Sequence, residues 1–312
     1  MPTDQMTNAN KPLSADGKTY HVETKWGQVA NRLLTVGDPQ RARLISKHLD
    51  KVLFEHQSHR GILTITGIYK NLPVSIVAIG MGLSMMDFFV REVRMVVKGP
   101  LTIIRLGSCG SICDAQAGDV IVASGAFGIS TNYSFYANKD PNGTTAGTDE
   151  PYILWPTVQP DRKLTECLSA CVAEKVPGGL DHVFEGEVGN ADGFYSAQGR
   201  IGDDFYDANS GLLDRIRATH PNASALEMEC HMLFHLASIS TGPNGSAPQS
   251  IRAACALVVF ADRTGNSFIS PDKSAQTYRD ISNAILDALA ISSPTQTASM
   301  HPSEGSVWEG EL

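Results

Sequence analysis

Two stretches set an arginine and glycines where an apolar run gives way to a turn. Gly37-Asp38-Pro39-Gln40-Arg41 leaves a short strand-like run and enters a helical pattern. A glycine amide at a helix N-terminus suits an anion, and Arg41 can add a bidentate contact. Arg105-Leu106-Gly107-Ser108-Cys109-Gly110 repeats the theme with a hydroxyl, a guanidinium and two glycines that admit a ligand to the backbone. Arg60, in Ser58-His59-Arg60, is a third candidate and stands alone. Taken singly, each is better explained by a turn glycine or a surface ion pair. Two such elements at strand ends in one acidic chain point to a phosphate-sized anion.

Other residues offer hydrogen bonds and a stacking face. Glu227-Met228-Glu229 falls where a strand hands over to a helix, so a carboxylate there could accept from sugar hydroxyls above an apolar Met228. A helix-start acid facing the macrodipole is the plainer explanation. Phe194-Tyr195-Ser196-Ala197-Gln198-Gly199-Arg200 places an aromatic ring, an amide and a guanidinium within one short segment. Gln198 presents a donor and an acceptor that match the edge of an imide such as uracil. Arg200 could steady a carbonyl that gains negative charge. A polar surface loop reads equally well. Gly80-Met81-Gly82 follows a strand, but Met85 occupies the third glycine place of the dinucleotide fingerprint, which argues against nicotinamide binding. His231 and His235 lie four apart without the acid of an H-E-x-x-H site, so they read as packing or solvent histidines and no metal is assigned.

These residues need a frame, and the apolar pattern supplies one. Strands are expected at Leu33–Val36, Leu101–Leu106, Asp119–Ala123, His182–Asn190, Ala223–Met228 and Arg252–Phe260. Ile62–Tyr69 and Val74–Ile79 flank Lys70-Asn71-Leu72-Pro73 as a hairpin. Helices are expected over Gln40–Leu49, Met85–Val97, Leu164–Glu174 and Glu229–Ser238. Tyr278, Ile281, Ile285 and Leu289 mark a closing helix. The expected fold is therefore a single α/β domain, residues 18–292, with a mixed, curved sheet flanked by helices. Residues 1–17 and 293–312 read as polar tails, and Asn138–Glu150 as a polar surface loop.

Composition bounds the function. A formal net charge of −8 over 312 residues argues against nucleic-acid binding. No apolar run is long enough for a membrane helix, and the first residues lack the apolar core of a signal peptide. The cytoplasm is the expected compartment. The six cysteines read as reduced thiols, because both close pairs, Cys109/Cys113 and Cys167/Cys171, have C-x3-C spacing.

In order and spacing, the stretches above resemble the nucleoside phosphorylases, a family that includes uridine phosphorylase and hexameric purine enzymes. The resemblance runs from about Tyr20 to Leu289 and implies a barrel-like mixed sheet. It implies phosphate-dependent, reversible cleavage of uridine or deoxyuridine to uracil and the pentose 1-phosphate, in pyrimidine salvage. Inorganic phosphate would be the co-substrate, with no organic cofactor. Gly37, Arg41, Arg105 and Ser108 would hold phosphate, with Arg60 reaching across a homodimer interface. Met228 and Glu229 would hold ribose, with His21 donated by the neighbouring subunit. Phe194, Gln198 and Arg200 would bind uracil beside Phe260, Ala261 and Arg263, and Arg105, Arg200 and Glu229 would carry the catalysis. Two departures concern a cation found between subunits in some relatives: Ser84-Met85 replaces the usual Pro-Ser pair, and Gly61 replaces an acid after the interface arginine. The alternatives are a purine nucleoside phosphorylase, a phosphate-independent nucleosidase and a non-catalytic nucleoside-binding protein.

Overall fold

The computed structural model describes residues 5–137, 150–241, 250–291 and 303–312. The chain enters through β1 (Arg32–Val36), buried along its whole length. Asp38 then caps α1 (Pro39–Ser46) by accepting the Arg41 amide at 2.9 Å, with Pro39 at the first helical position. β2 (Lys51–Gln57), β3 (Leu63–Tyr69) and β4 (Leu72–Ala78) make an antiparallel meander. The expected hairpin is β3–β4, and its turn is Lys70-Asn71. Their φ angles of 51° and 59° give the twist that a two-residue connection needs.

α2 (Leu83–Val96) buries Met86, Phe89, Val90 and Val93 along one face. β5 (Leu101–Ser111) and β6 (Val120–Thr131) both run well past their expected ends. α3 (Tyr133–Ala137), β7 (Tyr152–Leu154), α4 (Arg162–Lys175), β8 (Val183–Ala191), α5 (Leu212–Thr219), β9 (Ala223–Glu227) and α6 (Cys230–Ser238) follow. β10 (Ile251–Asp262), β11 (Ser267–Phe268) and α7 (Pro271–Ile291) complete the succession. Most of the 138–150 segment lies outside the described residues.

One mixed sheet holds every strand, in the order β11-β10-β6-β8-β9-β5-β1-β4-β3-β2, with β7 beside β6. An additional parallel pairing of β10 with β5 closes β10, β6, β8, β9 and β5 into a ring. That ring is the barrel-like curvature expected, and β1, β4, β3 and β2 extend from it as an open wing. Two large apolar clusters cover the sheet, one shared with α2 and α6, the other with α1, α4 and α7. Successive strand residues face opposite clusters. Leu101 and Ile103 of β5 belong to the α2/α6 cluster, while Ile104 and Leu106 belong to the other. Arg105 therefore projects toward α6.

Parts of the two segments read as polar tails pack against the domain. Leu13 packs against the α2/α6 cluster. Near the other end Trp308 is only 2% exposed and sits with Ala30 and Ile68. The Val307 amide donates to the Gly27 carbonyl at 2.9 Å. A Cβ on Gly27 would lie 2.4 Å from the Gly305 carbonyl oxygen, and its φ is 81°, so glycine is required for this approach. Residues 292–302, most of the remaining expected tail, lie outside the described residues.

Candidate active site

The C-terminal ends of β1, β4, β9 and β10 and the second half of β5 converge on a cavity of about 370 Å3. Open α/β sheets place ligands at this end of their strands. Of the residues singled out in the sequence, Gly37, Arg41, Arg105, Ser108, Phe194, Gln198, Arg200, Met228, Glu229, Phe260 and Ala261 line it. His21, Arg60 and Arg263 do not.

At the centre, Arg105 Nη2 donates to Glu229 Oε2, and both side chains are buried. The other carboxylate oxygen, Oε1, accepts the Gly82 amide at 2.5 Å. α2 thus begins on Glu229, and the glycine turn that fails as a dinucleotide fingerprint has a different use. Burial alone would pull the Arg105 pKa down, but the Glu229 and Glu227 carboxylates outweigh it and push the value up. Its Nε and Nη1 have no hydrogen-bond partner among the described residues. A buried guanidinium with donors to spare suits an incoming oxyanion.

Glu227, also buried, accepts the Glu229 amide at 2.7 Å and the Cys230 amide at 2.9 Å. It fixes the turn that aims Glu229. Burial, and then the Glu229 charge, push its pKa up to about 7.

Arg41 stacks over Tyr278 of α7, its guanidinium carbon 4.1 Å from the ring centroid. The Tyr278 hydroxyl donates to the Gly107 carbonyl at 3.0 Å, and burial pushes its pKa up to about 12. Because Asp38 already satisfies the Arg41 amide, the helix N-terminus is less open to an anion than the sequence suggested. The available charge there is the Arg41 side chain.

The opposite wall is the 194–200 loop. Arg200 Nη1 donates to Gln198 Oε1 at 2.8 Å, and its guanidinium lies 3.8 Å from the Phe194 ring centroid. Burial, with the nearby Arg263 charge, pulls the Arg200 pKa down to about 10, so it stays cationic near neutrality. Gln198 is buried, and its backbone is held from behind. Arg263 Nη1 donates to the Gln198 carbonyl at 3.0 Å and Nη2 to that of Gly199 at 3.2 Å. Asn209 donates to the Ser196 and Arg200 carbonyls at 3.1 and 2.8 Å. Arg263 therefore supports the loop rather than facing the cavity.

Phe260 reaches the cavity through a register shift. β10 pairs Val259 with Cys109 and Ala261 with Gly110, leaving Phe260 as an extra residue.

His21 and Arg60 share another surface. His21 stacks on Phe88 with centroids 3.9 Å apart, and its Nδ1 lies 2.6 Å from Glu92 Oε1. Arg60 is exposed beside His59, which contacts Tyr20. The sequence reading gave no site role to Gly82, Tyr278 or Asn209; the first two act through contacts distant in the chain, and Asn209 through backbone carbonyls. It also missed the part of Glu227, although that residue lay in a motif already singled out. Among the described residues no cluster of His, Cys, Asp and Glu could hold a metal, and no helix is long and apolar enough to cross a membrane.

Comparison with known proteins bears on this arrangement. Residues 31–289 match the family described as the phosphorylase superfamily. A uridine phosphorylase of Thermococcus kodakarensis is 30% identical over 270 residues, 85% of each chain. The solved structure of a uridine phosphorylase from Phytophthora capsici superposes with a TM-score of 0.83 at 32% identity, over 93% of this chain and 100% of that one. A DeoD-type purine nucleoside phosphorylase of a Geobacillus strain is 36% identical, but over 35% of this chain and 46% of its own. The match spans the ring of strands and all the segments that line the cavity, and on that ground the chain belongs to the phosphorylase superfamily.

Proposed function

We propose that this chain is a uridine phosphorylase, a pentosyltransferase that uses inorganic phosphate to cleave uridine reversibly to uracil and ribose 1-phosphate. The observation that carries the reading is the loop wall. A buried Gln198 amide and the Arg200 guanidinium, already bonded to each other, lie across one cavity from Arg105 and Glu229. The amide and guanidinium match the imide edge of uracil, and the Phe194 ring offers a face. The full-length likeness to uridine phosphorylases, against the partial match to a purine enzyme, supports the same choice.

In this reading Arg41 and Arg105 hold phosphate with Ser108 and the Gly37 backbone, and Glu229 fixes the ribose hydroxyls above Met228. The glycosidic bond breaks with oxocarbenium character and the base leaves with the bonding pair. A phosphate oxygen bonds to the anomeric carbon, and the proton that phosphate gives up balances the one uracil gains. Gln198 and Arg200 take up the charge developing on the base. Phe260 and Ala261 wall its apolar edge. No organic cofactor enters the scheme. His21 and Arg60, set apart from the cavity, would complete a neighbouring site in a homodimer. The enzyme would then work in pyrimidine salvage in the cytoplasm.

The test is uracil release from uridine with and without phosphate, with inosine in parallel. Cleavage of uridine that requires phosphate is expected. Preference for inosine, or cleavage without phosphate, would overturn the proposal.

A further inference from the structure

A second cavity, of about 450 Å3, opens at the far end of α2, bounded by the segments near both chain ends. Its walls include Leu13, Asp16, Trp26, Val97, Arg94 and Lys98. The charges there are unbalanced. Asp16 is taken by Lys25 at 3.2 Å and Lys18 at 3.6 Å. Among the described residues neither Arg94 nor Lys98 has a carboxylate partner.

Arg94 spends Nη2 on the Val97 carbonyl, while Nε and Nη1 are buried without a partner among the described residues. Burial accordingly pulls its pKa down, with no acid to offset it. A half-buried guanidinium with no counter-charge is costly, so a fold that keeps one beside a cavity gains from an anion there. The Lys98 amine lies 4.3 Å from the centroid of the Trp26 ring, and the residue is exposed. Cations beside an indole, with Leu13 and Val97 for an apolar body, suit a molecule with a charged head and a flat ring.

We propose that this cavity binds a small organic anion, a ring-bearing phosphate monoester or carboxylate, with its head group at Arg94 and Lys98 and its ring near Trp26. The site is distinct from the candidate active site and does not depend on the function proposed for that one.

Phenyl phosphate is the probe, titrated by calorimetry into the full chain. Arg94→Met and Lys98→Met are expected to weaken one binding event by about tenfold or more, and phenol, lacking the charge, should not produce it. Arg41→Met, in the other cavity, should leave that event in place. Lys98 is exposed, so its variant keeps the test valid if Arg94→Met fails to fold. Unchanged binding in Lys98→Met, equal binding of phenol, or loss of the event in Arg41→Met would overturn the proposal.

Discussion

The two walls of the active-site cavity are built in different ways. On one side Arg105 rises from the middle of a long buried strand and meets Glu229, which the Gly82 amide and the Glu227 turn hold from two further directions. On the other side Gln198 and Arg200 belong to a loop fixed by backbone carbonyls that accept from Arg263 and Asn209. Under the proposed function, the phosphate and ribose chemistry would fall to the sheet wall, where an altered side chain disturbs a buried charge network. Choice of base would fall to the loop, which can change sequence with little cost to the core. The difference predicts that the sheet wall couples activity to stability and that the loop wall separates them.

The strongest challenge to that contrast is Glu229→Gln. It leaves Arg105 buried without its counter-charge, so it is expected to cost about 3 kcal/mol of stability and on the order of 10³ in kcat. Denaturant unfolding and steady-state phosphorolysis, measured together, would expose a variant that lost only one of the two. Arg200→Ala should lower kcat by about 10²–10³ while its Tm stays within a few degrees of wild type. Near-normal turnover of uridine by this variant would remove the loop from the mechanism.

Tyr278 gives a finer division. Tyr278→Leu removes the surface under Arg41 and is expected to raise KM for phosphate about tenfold, leaving KM for uridine near its original value. Tyr278→Phe keeps the ring and should stay within about threefold of wild type. If both variants shift equally, the hydroxyl bond to Gly107, not the stacking, positions the arginine.

The smallest effect is one of pH. Glu227 has a folded pKa of about 7 against an ordinary value of 4.5. The folded chain holds this proton over a range in which the unfolded chain has released it. Stability from this group therefore falls as pH rises from about 4.5 to 7 and levels off above. Relative to wild type, Glu227→Gln should gain stability across that window, read as a flatter dependence of Tm on pH. A parallel dependence in the two proteins would mean that Glu227 does not titrate there.

The ring and its helices were legible because long buried strands and amphipathic helices repeat their apolar spacing. The closing helix, for example, could be placed from Tyr278, Ile281, Ile285 and Leu289, all of them buried. β2 escaped notice because it is an edge strand whose Lys51, Glu55 and Gln57 face solvent, which hides the alternation. Trp308 escaped because only Val307 beside it is apolar in an otherwise polar stretch, and its partners Ala30 and Ile68 lie far away in the chain. At the site, side chains flanked by glycine could be picked out in the chain. Support given through backbone groups, as by Arg263 and Asn209, could not, since a carbonyl carries no residue type. The extra residue at Phe260 is likewise a property of strand pairing and leaves no mark on the local pattern.

The pairing of β10 with both β5 and β6 also sets when the site can come into being during synthesis. Arg41 and Arg105 emerge from the ribosome early, yet the strand that completes the ring and the tyrosine beneath Arg41 belong to the last quarter of the chain. Contacts so distant in sequence form late, after the loop between them has been closed. A nascent chain released before Ile251 would carry most of the charged groups and no assembled cavity. Catalytic competence should therefore arrive as a late, cooperative event rather than grow with chain length.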